Sequence, residues 1–129
     1  MDELRMPLAL VVEDDLSLGK LLCHSLKKAG IATVCVSTAE EASIELAGKV
    51  VDYVLVDVTL PGTSGLYVIE SVRHIEKERR PAVILITATR ANILDKIDRS
   101  VVKTVMFKPL DINALVAFVS ALKPLPALP

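Results

Sequence analysis

Four separated places in this chain put polar or charged side chains directly after an apolar run. Glu13-Asp14-Asp15 follow Leu8 to Val12, Asp57 follows Tyr53 to Val56, Thr87 follows Val83 to Ile86, and Lys108-Pro109 follow the more mixed run Thr104 to Phe107. Two carboxylates about 4 Å apart repel by roughly 4 kcal/mol at an effective dielectric near 20, so converging acids call for a cation or for raised pKa values. Oxygen-only ligands select a hard divalent ion such as Mg²⁺, which keeps several waters and takes one or two protein carboxylates. A carboxylate beside that ion, with one lysine and one hydroxyl nearby, has the parts for phosphoryl transfer to Asp. The carboxylate attacks in line while the metal and the ammonium neutralise charge. Taken singly, each residue has a plainer use: Asp14 or Asp15 as a helix cap, Lys108 as counter-charge to an acidic patch. The four strand ends together favour one shared site.

The elements that must position these groups follow from hydrophobic patterning. Continuous rather than alternating apolar runs mark strands covered on both faces, and Leu8 to Val12, Tyr53 to Val56 and Val83 to Ile86 are of this kind. Ile31 to Val36 and Thr104 to Phe107 are more mixed, as expected nearer the sheet edges, making five strands. Between them, Leu18, Leu21, Leu22, Leu26 and Ala29 recur at helical spacing, with Gly30 placed for a left-handed cap. Thr38 and Glu41 form a capping-box pattern opening a second helix through Ala42 and Leu46 toward Lys49. Leu66, Ile69 and Val72 mark a third helix, Ile93, Leu94 and Ile97 a fourth, and Leu115, Val119 and Leu122 a fifth that Asp111 can cap. Strands joined by such helices run parallel, and right-handed crossovers place helices on both faces. The expected fold is α/β, a doubly wound (βα)5 unit with a five-stranded parallel sheet. Ligands of such sheets bind at the carboxyl ends of the strands, where these polar groups stand.

Composition bounds the rest. With 129 residues, 52% apolar and 24% charged, the chain has the make-up of one globular domain that needs no disulfide. A net charge of −1 without a basic stripe argues against intrinsic nucleic-acid binding. The mixed-sign run Glu76 to Arg80 reads as a helix C-terminus capped by Arg79 and Arg80. Cys23 and Cys35, without metal-ligand spacing, read as buried thiols, and the expected compartment is a reducing cytoplasm. The run Leu8 to Val12 is too short for a signal-peptide core or a membrane span. Pro124 to Pro129 reads as an extended linker or frayed end, so that 1–122 form the domain and 123–129 a proline-rich tail.

Val11-Val12-Glu13-Asp14-Asp15, Asp57-Val58-Thr59-Leu60-Pro61-Gly62-Thr63-Ser64-Gly65, Thr87-Ala88 and Lys108-Pro109 resemble the signature of the response-regulator receiver domain of two-component signalling, over about residues 7 to 122. The resemblance implies a flavodoxin-like sheet with strand order 2-1-3-4-5. It implies Asp57 as phosphoacceptor, Mg²⁺ held directly by Asp14 and Asp57, Glu13 acting mainly through bound water, and the main-chain carbonyl of Thr59 as a further metal ligand. Thr87 is then the switch hydroxyl, Lys108 the ligand of a phosphoryl oxygen, and the Lys108-Pro109 bond is cis. Asp15 is divided between a helix cap and a site role. The implied partners are a sensor histidine kinase or histidine phosphotransfer protein and a downstream protein target, with no direct nucleic-acid contact and no membrane insertion. The implied catalysis is confined to the domain's own phosphorylation and dephosphorylation.

The sequence departs from that family in three places. Val105 stands where many receivers carry Tyr or Phe, while Phe107 shares its side of the strand nearer the active end. Ser100-Val101-Val102-Lys103 replaces a small Gly-Ala turn, and Thr59 and Thr89 occupy positions that tune access of hydrolytic water. Neither threonine orients water strongly, so the phosphoryl lifetime is expected not to be at the fast end. Two other functions compete. A phosphorylation-independent interaction module is kept open by Val105. An aspartate-nucleophile phosphohydrolase is disfavoured because Asp57-Val58-Thr59 lacks a second acid two residues on. His24 and His74 read as surface or packing residues on helices, and Gly62 to Gly65 as a turn rather than a phosphate loop.

Overall fold

The computed structural model describes residues 5–58, 65–88, 95 and 97–126. Five strands, β1 (Leu8–Val12), β2 (Ala32–Val36), β3 (Tyr53–Asp57), β4 (Ala82–Thr87) and β5 (Val102–Phe107), form one parallel sheet in the order β2-β1-β3-β4-β5. This is the flavodoxin-like order and the α/β fold expected from the sequence. Four α-helices lie among the described residues: α1 (Leu16–Lys28), α2 (Ala39–Gly48), α3 (Gly65–Arg73) and α4 (Ile112–Ala121). Of the further helix expected from Ile93, Leu94 and Ile97, the first two residues lie outside the described residues. Ile97 packs, partly buried, on the core.

Strand alternation sorts the core into two layers. Leu10, Val12, Val54, Val56, Val83 and Leu85 point to the side covered by α2 and α3, through Ala39, Ala42, Val68, Ile69 and Val72. Ala9, Val11, Tyr53, Leu55, Ile84 and Ile86 point to the side covered by α1 and α4, through Leu22, Leu26, Leu115 and Val119. Each fully buried leucine of α1 contributes about 2 kcal/mol of apolar burial, which fixes the helix far more firmly than its local propensity.

The helix ends follow their local signals. Asp15 accepts from the Leu18 N–H at 3.1 Å, and Asp111 accepts from the Ala114 N–H at 3.0 Å. Thr38 Oγ1 accepts from the Glu41 N–H, while Glu41 reaches back to the Ser37 N–H and both neighbouring hydroxyls. Gly30 adopts φ +87°, the left-handed backbone its position after α1 requires. Of the two arginines expected to cap, Arg80 donates to the carbonyls of Arg73 and Ile75 beyond α3, whereas Arg79 lies in the intervening 3₁₀ turn, Lys77–Arg79. In place of a Gly-Ala turn before β5, the Asp98 carboxylate accepts from the Ser100 N–H and its main-chain carbonyl from Val101 and Val102. β5 accordingly starts at Val102, two residues before the apolar pattern suggested.

Two expectations fail. Leu21, read as part of the buried stripe of α1, is 47% exposed, because the helical sweep turns it away from the face that Leu22 and Leu26 bury. Cys35 is exposed rather than buried: β2 is an edge strand, with β1 on one side alone. Its Sγ nevertheless tucks against α1, where it stands 2.9 Å from the place a Cβ on Gly19 would occupy. Burial there, then the adjacent Cys23 thiol and the Glu13 charge, push the Cys35 thiol up to about 11. Cys23 is buried as expected. At the opposite end of the sheet the tail is tied down as far as Leu125, whose N–H donates to Asp52 Oδ1 at 2.8 Å.

Candidate functional site

The carboxyl ends of β1, β3, β4 and β5 bring the sequence-derived residues to one edge of the sheet. Glu13 directly follows β1, and its N–H is fixed by the Val36 carbonyl at 3.0 Å. Asp57 is the last residue of β3 and is paired in register with Ile86 of β4. Thr87 ends β4 opposite Phe107, and its carbonyl accepts from the Lys108 N–H at 2.9 Å. The Lys108-Pro109 peptide is cis. Asp57 and Glu13 are each 2% exposed and Thr87 is fully buried, whereas Asp14 is exposed.

Side-chain geometry makes this a charged pocket. Lys108 Nζ donates to Asp57 Oδ2 at 2.8 Å and lies 3.2 Å from Glu13 Oε1. Glu13 Oε2 accepts from the Asp15 N–H at 3.2 Å, so Asp15 contributes a backbone donor while its own carboxylate caps α1. One carboxylate oxygen each from Glu13, Asp14 and Asp57 lie within 4.8 Å of one another. Burial, then the neighbouring Asp57 charge, holds the Glu13 carboxyl above its ordinary range against the pull of Lys108 and the Asp15 N–H. Burial alone would lower the Lys108 ammonium; the hydrogen bond and charge of Asp57, then Glu13, outweigh it and hold it above its usual value.

The donor set fits a hard divalent cation. Its atoms are all carboxylate oxygens, and Glu13 Oε1, though ion-paired with Lys108, is a buried acceptor on which no hydrogen-bond donor is aligned. Among the described residues three carboxylates face one ammonium, which leaves negative charge for a cation to balance. Thr59, the expected main-chain ligand, lies outside the described residues, as do Thr89 and residues 62–64 of the turn. His24 and His74 are exposed on or after helices and take no part in the pocket, and His74 lies 3.3 Å from Glu70.

Gly65 supports the site in a way the motif alone did not reveal. Its N–H donates to the Val58 carbonyl, and a Cβ there would stand 2.2 Å from the Asp57 carbonyl oxygen and 2.6 Å from Val58 Cα. Close approach of α3 to the strand end therefore requires glycine. The legible signal was a glycine at the first position after a strand-to-helix turn.

A doubly wound sheet with this pocket at its carboxyl edge defines a phosphoacceptor type of signalling domain. The comparisons agree: residues 9–120 match the response regulator receiver domain, and the chain belongs to that family. It is 38% identical over 87 residues to the uncharacterized transcriptional regulatory protein YrkP of Bacillus subtilis, covering 67% of this chain and 36% of that protein. It is 33% identical over 112 residues to the swarming motility regulation protein RssB of Serratia marcescens, covering 87% and 51% respectively. The chain thus spans about half or less of the length of these relatives. Among solved structures, the response regulator TrrA of Thermotoga maritima, in complex with Mg²⁺ and BeF, superposes with a TM-score of 0.77 at 26% identity, covering 88% of this chain and 96% of that one. Receivers of two-component systems are signalling domains, and Mg²⁺ and phosphorylation are typical of the family. Among the described residues no helix is long and apolar enough to cross a membrane.

Proposed function

We propose that this chain is a phosphoacceptor switch in which Asp57 takes a phosphoryl group from a sensor histidine kinase or a histidine phosphotransfer protein and thereby changes its affinity for a downstream protein. The observation that carries this reading is the Lys108 ammonium 2.8 Å from Asp57 Oδ2, beside a cluster of three carboxylates. In the transfer, an Asp57 oxygen forms a bond to phosphorus while the donor P–N bond breaks, and its electron pair stays on the donor imidazole. Lys108 is then positioned to exchange its carboxylate hydrogen bond for one to a phosphoryl oxygen, and Thr87 is the hydroxyl assigned to a second. Asp14 and Asp57 are the proposed direct ligands of Mg²⁺, with Glu13 acting through water and the Thr59 carbonyl completing the set. Bound Mg²⁺ supplies charge neutralisation for the transferring group. Hydrolysis of the aspartyl phosphate by water resets the switch, so the chain's catalysis acts on its own modification. We assign residues 1–122 to the receiver and 123–129 to a tail or linker, and place the protein in the cytoplasm, where its proposed phosphoryl donors act.

Incubation with Mg²⁺ and acetyl phosphate, followed by intact mass measurement, tests the proposal. A phosphoryl adduct that disappears in Asp57→Asn supports it; an adduct that persists in that variant overturns the assignment of Asp57. Val105, in β5 beside Phe107 and on the same face, favours a second reading, a receiver-like interaction module independent of phosphate. Absence of any adduct on the wild-type chain would transfer the conclusion to that module.

A further inference from the structure

The end of the sheet opposite Asp57 carries a second charged site. A cleft of about 250 Å³ opens there at the start of β4 and β5, and four cations line it: Lys77, Arg80, Lys103 and Lys123. They come from three separate segments, namely the 3₁₀ turn with the residue just after it, the second residue of β5 and the stretch after α4. A chain of net charge −1 has no excess of cations to strew on its surface, so this convergence is local.

The cleft has little internal counter-charge. Among the described residues, Lys77, Lys103 and Lys123 have no acidic partner within salt-bridge distance. Asp52, the acid in the lining, is 2% exposed and already committed. It accepts from Arg5 Nη1 at 2.8 Å, Arg5 Nη2 at 3.0 Å, and the N–H groups of Leu8 and Leu125 at 2.8 Å each. Asp98 attracts Arg80, yet its Oδ1 is taken by the Ser100 N–H and hydroxyl, and Glu76 and Glu78 flank Lys77 along the chain without lining the cleft. Arg80 is held in place by three hydrogen bonds to the Arg73 and Ile75 carbonyls, so its charge cannot swing away. The same buried Asp52 fixes Leu125, so the wall that carries Lys123 is built, not loose.

We propose that this cleft binds an oligophosphate, a ligand with several phosphate groups in series. Four cations around so small a volume, three of them without an acidic partner among the described residues, match a compact ligand of several negative charges, whereas a single phosphate needs fewer donors. A nucleic-acid duplex would need cations spread along a face, which this chain does not supply. The site is independent of the Asp57 pocket, at the other pole of the sheet.

Titration calorimetry with sodium tripolyphosphate in EDTA-containing buffer tests this. Saturable binding is expected, weakened at least tenfold in the exposed double variant Lys103→Ala/Lys123→Ala and weakened by added salt. Amide NMR shifts should centre on Ala82, Val101 and Leu125. No saturable binding, unchanged affinity in the double variant, or shifts centred on Lys108 would overturn the proposal, as would tight binding of a short DNA duplex without binding of tripolyphosphate. ATP run in parallel separates the sources. Equal affinity assigns the phosphate chain alone, and affinity at least tenfold higher assigns a nucleotide carrying it.

Discussion

Lys108 Nζ stands 2.8 Å from Asp57 Oδ2 and 3.2 Å from Glu13 Oε1, so a single ammonium serves two carboxylates that water barely reaches. With Asp14 beside them, the described residues of the pocket hold more negative charge than Lys108 can offset, and that imbalance governs how the domain should respond to metal.

Mg²⁺ is expected to stabilise the folded chain. An ion bound by the native state alone adds about 2.7 kcal/mol when present at about 100 times its Kd. Thermal unfolding with and without Mg²⁺ measures the gain, which should vanish in Asp57→Asn and shrink strongly in Asp14→Asn. A wild-type melting temperature indifferent to the ion would remove this pocket as its site.

Gly65→Ala should be costly and Gly19→Ala nearly neutral. At Gly65 the new methyl meets backbone, 2.2 Å from the Asp57 carbonyl oxygen, so α3 or the strand end must shift, at about 2–3 kcal/mol. At Gly19 it meets the Cys35 Sγ, and removing a glycine from the first turns of α1 recovers up to about 1 kcal/mol of helix propensity. Denaturant unfolding of the two variants compares them directly. Equal losses would mean that Cys35 cannot yield.

Asp15→Ala separates a cap from a site role. Loss of its hydrogen bond to the Leu18 N–H should cost about 1 kcal/mol of stability, while adduct formation with acetyl phosphate continues. A stable variant that no longer forms the adduct would place the Asp15 carboxylate in the chemistry instead.

Asp52 sets a pH dependence at the other pole. Burial would raise its carboxyl, but the hydrogen bonds from Arg5, Leu8 and Leu125 and the Arg5 charge outweigh it and hold the group below its ordinary 3.8. A depressed folded-state pKa contributes stability that is complete above 3.8 and lost as pH falls through the lower folded value. Asp52→Ala should cost roughly 3 kcal/mol at neutral pH and flatten the acid limb of the stability curve. An unchanged acid limb would show that Asp52 is not the group responsible.

The sheet and the acidic pocket were legible because each rests on a local pattern: continuous apolar runs, caps such as Thr38 with Glu41, and polar residues directly after strands; the strand order came with the family resemblance alone. What escaped depends on pairings distant in sequence. Nothing around Arg5 announces that Asp52 and Leu125 will meet it, and although β2 reads as a mixed strand nearer the sheet edge, its pattern does not show that Cys35 is left open. Leu21 kept the helical period and still faces outward, because periodicity specifies a stripe but not its width. Gly65 read as a turn residue until the approach of α3 to Asp57 gave its reason.

Along β3 and β4, Asp57 shares the side of the residues facing α1 and α4, while Thr87 shares the side of those facing α2 and α3, together with Val105 and Phe107. Any group gripped by both side chains would straddle the sheet's rim like a staple. It would tug on two separately packed interiors at once, and neither layer of helices would be a bystander.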